Sequence, residues 1–150
     1  MVRPPPTSST TVEQVSKSQP IGIGAVLGAP SGITAEFWRA NHQSIDAGVA
    51  FGYFGYSMLY GDYLFHYPYA FKSSEFSPYF GPGLFVANSY YGYLYNSAYS
   101  VFIGLRLNAG VQWFPKGVPV GIFAEVGPGL ALVPFGFPLM SGGVGARYFF

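Results

Sequence analysis

Few side chains in this sequence could carry chemistry, and those that could are spread singly along the chain. Charged residues make up 9% of the 150, against about 25% in an ordinary soluble domain. Carboxylates and guanidinium groups spaced in this way can form ion pairs if the fold brings them together. The candidates are the acids Glu36, Asp46, Asp62 and Glu125, the bases Arg106 and Arg147, and the polar residues His66, Asn108 and Gln112.

Several other kinds of site are excluded or poorly supported. The chain has no cysteine and only two histidines, His42 and His66, so it lacks the ligand clusters of zinc sites. The net charge is +1 with no basic stripe, which gives no electrostatic footprint for nucleic acid. We therefore expect no metal, no cofactor and no nucleic-acid partner.

The elements that must position these residues are strands, because apolar residues alternate with small or polar ones. Residues 1–20 are rich in Pro, Ser and Thr and predict a disordered tail. From Ile21 to Phe150 the alternation recurs eight times with turn residues between. The predicted strands are 21–28, 33–38, 45–53, 58–67, 76–87, 101–113, 121–132 and 140–150.

The apolar residues of this chain are predicted to lie on strands rather than on a membrane-spanning helix. The longest apolar stretch, 118–140, contains four prolines and four glycines, which makes a helix there very unfavourable. Eight alternating strands, each with one apolar face and most of them close to the roughly 9–11 residues that a tilted membrane strand needs, are typical of a small transmembrane barrel.

Alternation alone is also compatible with a soluble barrel that binds a ligand inside. Two observations favour the alternative in which the apolar face points outward and contacts lipid. The opposite face is dominated by glycine and would be a poor solvated surface, but it suits the narrow interior of eight strands. Aromatic residues also lie on the apolar face near strand ends, as membrane girdles require; they are Tyr53, Tyr67, Trp113, Tyr148 and Phe150.

The end of the chain carries a resemblance to a known family. Phe150 is a terminal aromatic, Tyr148 is an aromatic two positions earlier, and Gly145 is the sixth residue from the end. This pattern resembles the last strand of bacterial outer-membrane barrels, and 21–150 as a whole resembles the eight-stranded barrels typified by the OmpA transmembrane domain and OmpX. The resemblance implies an all-β, eight-stranded antiparallel up-and-down transmembrane β-barrel.

The resemblance also implies a place in the cell and a set of partners. The barrel would lie in the outer membrane as a monomer, contacting lipid and lipopolysaccharide, with Gly145, Tyr148 and Phe150 as the signal for the insertion machinery. Residues 1–20 would be a periplasmic tail. The turns near 39–44, 68–75 and 115–119 would be periplasmic, and the loops near 29–32, 53–57, 88–99 and 133–139 would be outside.

On this orientation, nearly all charges of the barrel fall on the inward face. Buried charges must be paired or neutralised, so we expect an interior network of Glu36, Asp46, Asp62, His66, Arg106, Asn108, Glu125 and Arg147. Asp62 and His66 share a face but stand about 13 Å apart along an extended strand, too far to pair directly. The network predicts a salt-bridged, closed lumen and a structural or anchoring role.

A narrow pore for ions or small solutes is the alternative, because many inward positions are glycine. Six inward aromatic residues argue against it, since their rings could fill the space that glycine leaves; they are Trp38, Tyr60, Tyr79, Phe85, Phe102 and Phe123. Another possibility is surface adhesion, because Tyr, Ser, Gly and Asn are the residues of adaptable binding loops. The candidates for that contact are Tyr90, Tyr91, Tyr93 and Tyr95 in the longest outer loop. We favour the alternative that these tyrosines extend the aromatic surface of the barrel at the lipid headgroups.

Two motifs suggest enzymes, and neither is supported by its context. His42 and Ser44 have the His-x-Ser spacing of the outer-membrane lipid A deacylases, with Asp46 nearby. The segment falls in a predicted periplasmic turn, however, whereas that family's site faces lipid at the outer end. The glycines of 22–28 do not match the dinucleotide-binding spacing, and no helix follows them. We therefore expect no enzymatic activity.

Overall fold

The computed structural model describes residues 20–40, 42–52, 57–67, 75–89, 100–115, 118–133 and 136–150. Within them the chain forms a closed barrel in which each strand pairs antiparallel with its neighbours in sequence and β8 pairs with β1. No helix in these residues is long and apolar enough to span a membrane. The strands are β1 (Ile21–Ala29), β2 (Ser31–Ala40), β3 (Gln43–Phe51), β4 (Ser57–His66), β5 (Phe76–Ser89), β6 (Ser100–Trp113), β7 (Val120–Val133) and β8 (Phe137–Phe149).

The period-two pattern decides which way each side chain faces. Along β4, for example, Met58, Tyr60 and Asp62 point inward and are buried, whereas Leu59 between them is 59% exposed. The same division holds on the other strands, where most leucine, isoleucine and valine side chains face out and a few, such as Val26, face the interior. The predicted fold class and the predicted faces are therefore confirmed.

Several strand ends differ from the sequence prediction. The turn predicted over 39–44 is too long, because β3 begins at Gln43 and places Ser44 inside the barrel. The predicted outer loops over 88–99 and 133–139 are also too long, since β5 continues to Ser89 and β8 begins at Phe137. Tyr90, Tyr91, Tyr93 and Tyr95 of the candidate binding loop lie outside the described residues, as do Tyr53 and nearly all of the predicted tail.

Both ends of the interior are occupied by apolar side chains. We call the end with the chain termini the terminal end and the other the opposite end. Buried aromatic rings of Trp38, Phe114 and Phe149 pack together at the terminal end. At the opposite end Ala50, Met58, Tyr60, Phe85, Ala87 and Ala131 form a second cluster, with Phe102 and Leu139 packed against it.

Aromatic rings fill the space beside inward glycines, as the sequence predicts. A Cβ atom added to Gly48 would meet the phenol ring of Tyr60, and the three atoms nearest one added to Gly22 would all belong to the ring of Phe149. Eight strands leave a narrow interior, and glycine on one strand allows a large ring on another to cross it.

The two prolines of β5 interrupt one ladder and spare the other. The Tyr67 amide donates to the Pro78 carbonyl at 2.8 Å, so in this alternating ladder the nitrogens of Pro78 and Pro82 both face β4. The pairing of β5 with β6 is continuous from Phe76 to Ser89. The pairing of β4 with β5 instead skips Tyr63 and its neighbour, where Pro82 has no N–H to donate.

Candidate functional site: the interior polar network

Polar side chains occupy the middle of the barrel, between the two apolar ends. They come from inward positions of β2, β3, β4, β5, β6, β7 and β8, so residues distant in sequence meet across the lumen. The buried members include Thr34, Glu36, Ser44, Asp46, Asp62, His66, Arg106, Asn108, Gln112 and Arg147. Glu125 is partly buried.

Arg147 is the centre of the larger group of contacts. Its Nη2 atom lies 2.8 Å from Asp46 Oδ2 and 3.0 Å from Thr34 Oγ1. Its Nη1 atom lies 3.5 Å from Glu36 Oε2, and the guanidinium carbon is 3.9 Å from the centre of the Phe123 ring. With Arg147 1% exposed, one cation therefore joins two buried carboxylates from neighbouring strands.

Glu36 connects this arginine to His66. The His66 Nε2 atom is 3.1 Å from Glu36 Oε1 and 2.7 Å from Ser44 Oγ. Ser44 Oγ donates to Glu36 Oε1 at 2.8 Å, and Gln112 Nε2 donates to Glu36 Oε2 at 3.1 Å. The carboxylate thus receives hydrogen bonds at both oxygens, as a buried charge requires.

A second group of contacts surrounds Arg106. Its Nε atom is 3.0 Å from Asp62 Oδ1, and its guanidinium carbon lies 4.5 Å from the centre of the Tyr60 ring. Asn108 Nδ2 donates at 3.1 Å to Asp62 Oδ2 and also at 3.1 Å to Glu125 Oε2. Tyr79 completes the group, because its hydroxyl donates a hydrogen bond to Glu125 Oε2 at 2.9 Å.

The network contains more acid than base. Among the described inward residues, four carboxylates meet two guanidinium groups and one imidazole. The carboxylates outnumber the guanidinium groups by two. Unbalanced buried charge is costly, so the hydrogen bonds that these carboxylates accept from Thr34, Ser44, Tyr79, Asn108 and Gln112 help to stabilise the barrel.

Little space remains around the second group. A cavity of about 10 Å³ near the opposite end is lined by Tyr60, Arg106, Glu125 and Ser141, among others. That volume holds about one water molecule. The Arg106 and Glu125 side chains therefore border the same small space without room for a solute between them.

Ser44, His66 and Glu36 do not have the geometry of a nucleophilic triad. In such a triad the serine and the acid contact opposite nitrogens of the histidine. Here both Ser44 and Glu36 contact Nε2, and His66 Nδ1 has no hydrogen-bond partner among the described residues. The Ser44 side chain is buried and points into the lumen rather than toward the outward surface.

The predicted network residues lie in two groups of contacts, one around Arg147 and one around Arg106. Asp62 and His66 have separate partners, in line with their spacing along β4. Sequence reasoning missed Thr34, Ser44 and Tyr79 as hydrogen-bond partners of the acids. The alternation places Thr34 and Tyr79 on the inward face, so it could have indicated them as partners. Ser44 was missed because the sequence assigned it to a turn.

The predicted insertion signal is divided between the two faces of β8. Tyr148 and Phe150 are outward and more than half exposed, at 53% and 55%. Their rings lie 6.0 Å apart between centres. Gly145 faces the lumen beside the Phe123 ring. The role of these three residues in insertion stays a prediction.

Comparison with solved structures places the barrel among known ones. The N-terminal β-barrel domain of OprF from Pseudomonas aeruginosa superposes with a TM-score of 0.69 at 15% identity, over 87% of this chain and 96% of that one. The fold is that of the small outer-membrane barrels. Neisserial surface protein A gives a TM-score of 0.58 at 16% identity, over 87% of this chain and 93% of that one.

A designed protein shares the same architecture. A transmembrane β-barrel designed de novo superposes with a TM-score of 0.59 at 14% identity, covering 87% of this chain and 94% of that one. No protein-family model and no curated protein matches the sequence. The likeness is therefore one of fold, carried by the closed eight-stranded topology rather than by shared sequence.

Proposed function

We propose that this chain is an integral outer-membrane barrel with a structural or anchoring role and a lumen closed to solutes. The observation that carries the closed lumen is the filling of the interior in three layers. Aromatic rings occupy the terminal end, the paired charges lie in the middle, and an apolar cluster occupies the opposite end. A solute would have to displace buried ion pairs to pass.

The outward surface supports the membrane location. Leucine, isoleucine, valine and aromatic side chains face out on all eight strands, including Leu27 at 69%, Leu84 at 63% and Val144 at 57% exposed. Monomeric soluble proteins rarely expose a continuous apolar belt of this extent, whereas a transmembrane barrel requires one. In the same proposal, β8 is the strand that the insertion machinery recognises, and lipid and lipopolysaccharide surround the monomer.

A narrow pore is the second candidate. The observation that favours it is the excess of carboxylates together with the small cavity beside Arg106 and Glu125. In this alternative, rearranged side chains would open a path for cations. An enzymatic role has no support from the Ser44 and His66 geometry, and we propose none.

The membrane location is tested by refolding the full chain into detergent and into liposomes. Folded barrels of this type migrate differently on gels before and after boiling, and we expect that heat-dependent shift here. We also expect the liposomes to stay impermeable to small sugars in a swelling assay. A chain that stays soluble without lipid and shows no shift would overturn the proposed location.

A further inference from the structure

An apolar groove indents the outward wall of the barrel where β4 meets β5. Its volume is about 370 Å³, within the range of ligand sites, and it opens sideways rather than into the lumen. Asp62, whose side chain is buried inside the barrel, and Gly83, which has no side chain, border its floor. The outward walls are formed by Ile45, Tyr63, Pro82, Leu84 and Leu105.

Two residues explain the indentation. Gly61 stands at an outward position, and the nearest atom to a Cβ placed there would be the Asp46 carbonyl oxygen at 4.0 Å. A side chain is thus missing at this point of the outward wall, between Leu59 and Tyr63 on the same strand. Pro82 interrupts the ladder beside it, since the pairing of β4 and β5 skips Tyr63 and resumes at Phe65.

We propose that the β4–β5 groove holds one acyl chain of a bilayer lipid. This inference rests on the proposed membrane location. The groove lies within the apolar belt, between Leu59 at 59% and Leu105 at 49% exposed. Its one polar side-chain group, the Tyr63 hydroxyl, is already used, donating to Gln43 Oε1 at 2.7 Å. The ligand must therefore be apolar, flexible and supplied from the side.

A second copy of the chain fits the groove less well than lipid does. A stable protein interface buries about 1,200 Å² or more in total, on surfaces that match over a broad area. The groove is a local indentation in a convex wall, so another barrel could insert only a side chain or two. A single acyl chain fills a narrow groove without needing that area.

The test uses the full chain refolded in phosphatidylcholine liposomes that contain a photoreactive diazirine on the acyl chain. Peptide mapping by mass spectrometry then locates the lipid adducts. We expect a several-fold excess of adducts on Ile45, Tyr63 and Leu84 over other outward residues. Gly61→Leu, which fills the groove, should abolish the excess. Ala124→Leu, which adds the same side chain to the outward face of β7, should leave it unchanged.

The possible failures are distinguishable. Adducts spread evenly over all outward faces of a folded, heat-shifting barrel would overturn the acyl-chain site and leave the membrane location standing. A protein that gives neither adducts nor a heat-dependent shift would overturn the membrane location itself. Cross-links between two chains at the groove, without lipid adducts there, would overturn the proposal in favour of a second copy.

Discussion

At the scale of single residues, Arg147 has the largest predicted effect on stability. It contacts both Glu36 and Asp46 while fully enclosed, so its removal leaves two buried carboxylates without their cation. Breaking a buried pair in this way costs about 3–5 kcal/mol. We expect Arg147→Met to lower the free energy of unfolding by that amount in urea titrations of the detergent-solubilised barrel.

The matched control is Arg39, which lies exposed at the end of β2. Arg39→Met should change the free energy of unfolding by about 0.5 kcal/mol or less, as surface substitutions usually do. Equal losses for the two variants would contradict the central position of Arg147 in the network.

The pair of Arg106 and Asp62 makes a separate prediction. Their atoms meet at 3.0 Å inside the barrel, and groups in direct contact show coupling of about 0.5–3 kcal/mol. In a cycle of Asp62→Asn, Arg106→Met and the double variant, the double should lose less stability than the two single losses added together. Strict additivity would show that the two side chains do not pair in the folded barrel.

These residues also show what the sequence could and could not predict. The inward position of each charge in the network followed from alternation, because successive side chains of a strand point to opposite faces. The contact partners of these charges did not follow from alternation. Glu36 meets His66 and Arg147 only because of the relative shift of paired strands around the barrel. That register is set by turns and packing across the whole sheet, and a linear pattern does not contain it.

At the scale of strands, β1 and β8 pack together because a small residue on β1 lies beside a large one on β8. Gly22 pairs with Phe149, whose ring occupies the space beside it. Gly22→Leu should therefore lower the free energy of unfolding by about 1–3 kcal/mol through overpacking. The control Ala25→Leu adds the same side chain on the outward face of β1 and should cost little.

The cost of Gly22→Leu should depend on the ring itself. Combining it with Phe149→Ala should cost less than the two single losses added, because the smaller side chain makes room. If the losses simply add, the glycine is needed for its backbone rather than for the ring.

Pro82 gives a prediction of opposite sign, because its replacement should raise the free energy of unfolding. Pro82→Ala supplies an N–H that faces the Tyr63 carbonyl, and one such hydrogen bond contributes about 0.5–1.5 kcal/mol. Pro138→Ala is the control, because the nitrogen of Pro138 lies beyond the end of β1 and gains no strand partner there. We expect Pro82→Ala to raise the free energy of unfolding relative to the control. Equal values for the two variants would contradict the interrupted ladder.

Strand ends were harder to predict than strand faces. Asn88 and Ser89 look like loop residues, and Gln43 and Ser44 look like a turn, yet all four belong to strands. Turn-forming composition is a local preference, and ladder pairing with a neighbouring strand overrides it. Asn88 illustrates this, because it accepts a hydrogen bond from Ser57 across the sheet.

At the scale of the whole molecule, the low charge, the period-two alternation and the terminal strand together predicted the fold class. A chain with so few charges has few groups to solvate a surface, and its barrel carries apolar outward side chains on all eight strands. The closed topology removes sheet edges, which is the condition for strands in a membrane. What composition could not predict is the packing of the lumen, because glycine-rich strands fit both an open pore and a filled interior.

The central claim is that paired charges and aromatic rings fill the lumen and block it. Conductance of the refolded protein in planar lipid bilayers tests it most directly. We predict a baseline current with no discrete openings, whether or not the membrane is held at a potential. Discrete openings in the unmodified protein, with a size that changes in Arg106→Ala, would contradict the claim and establish the pore.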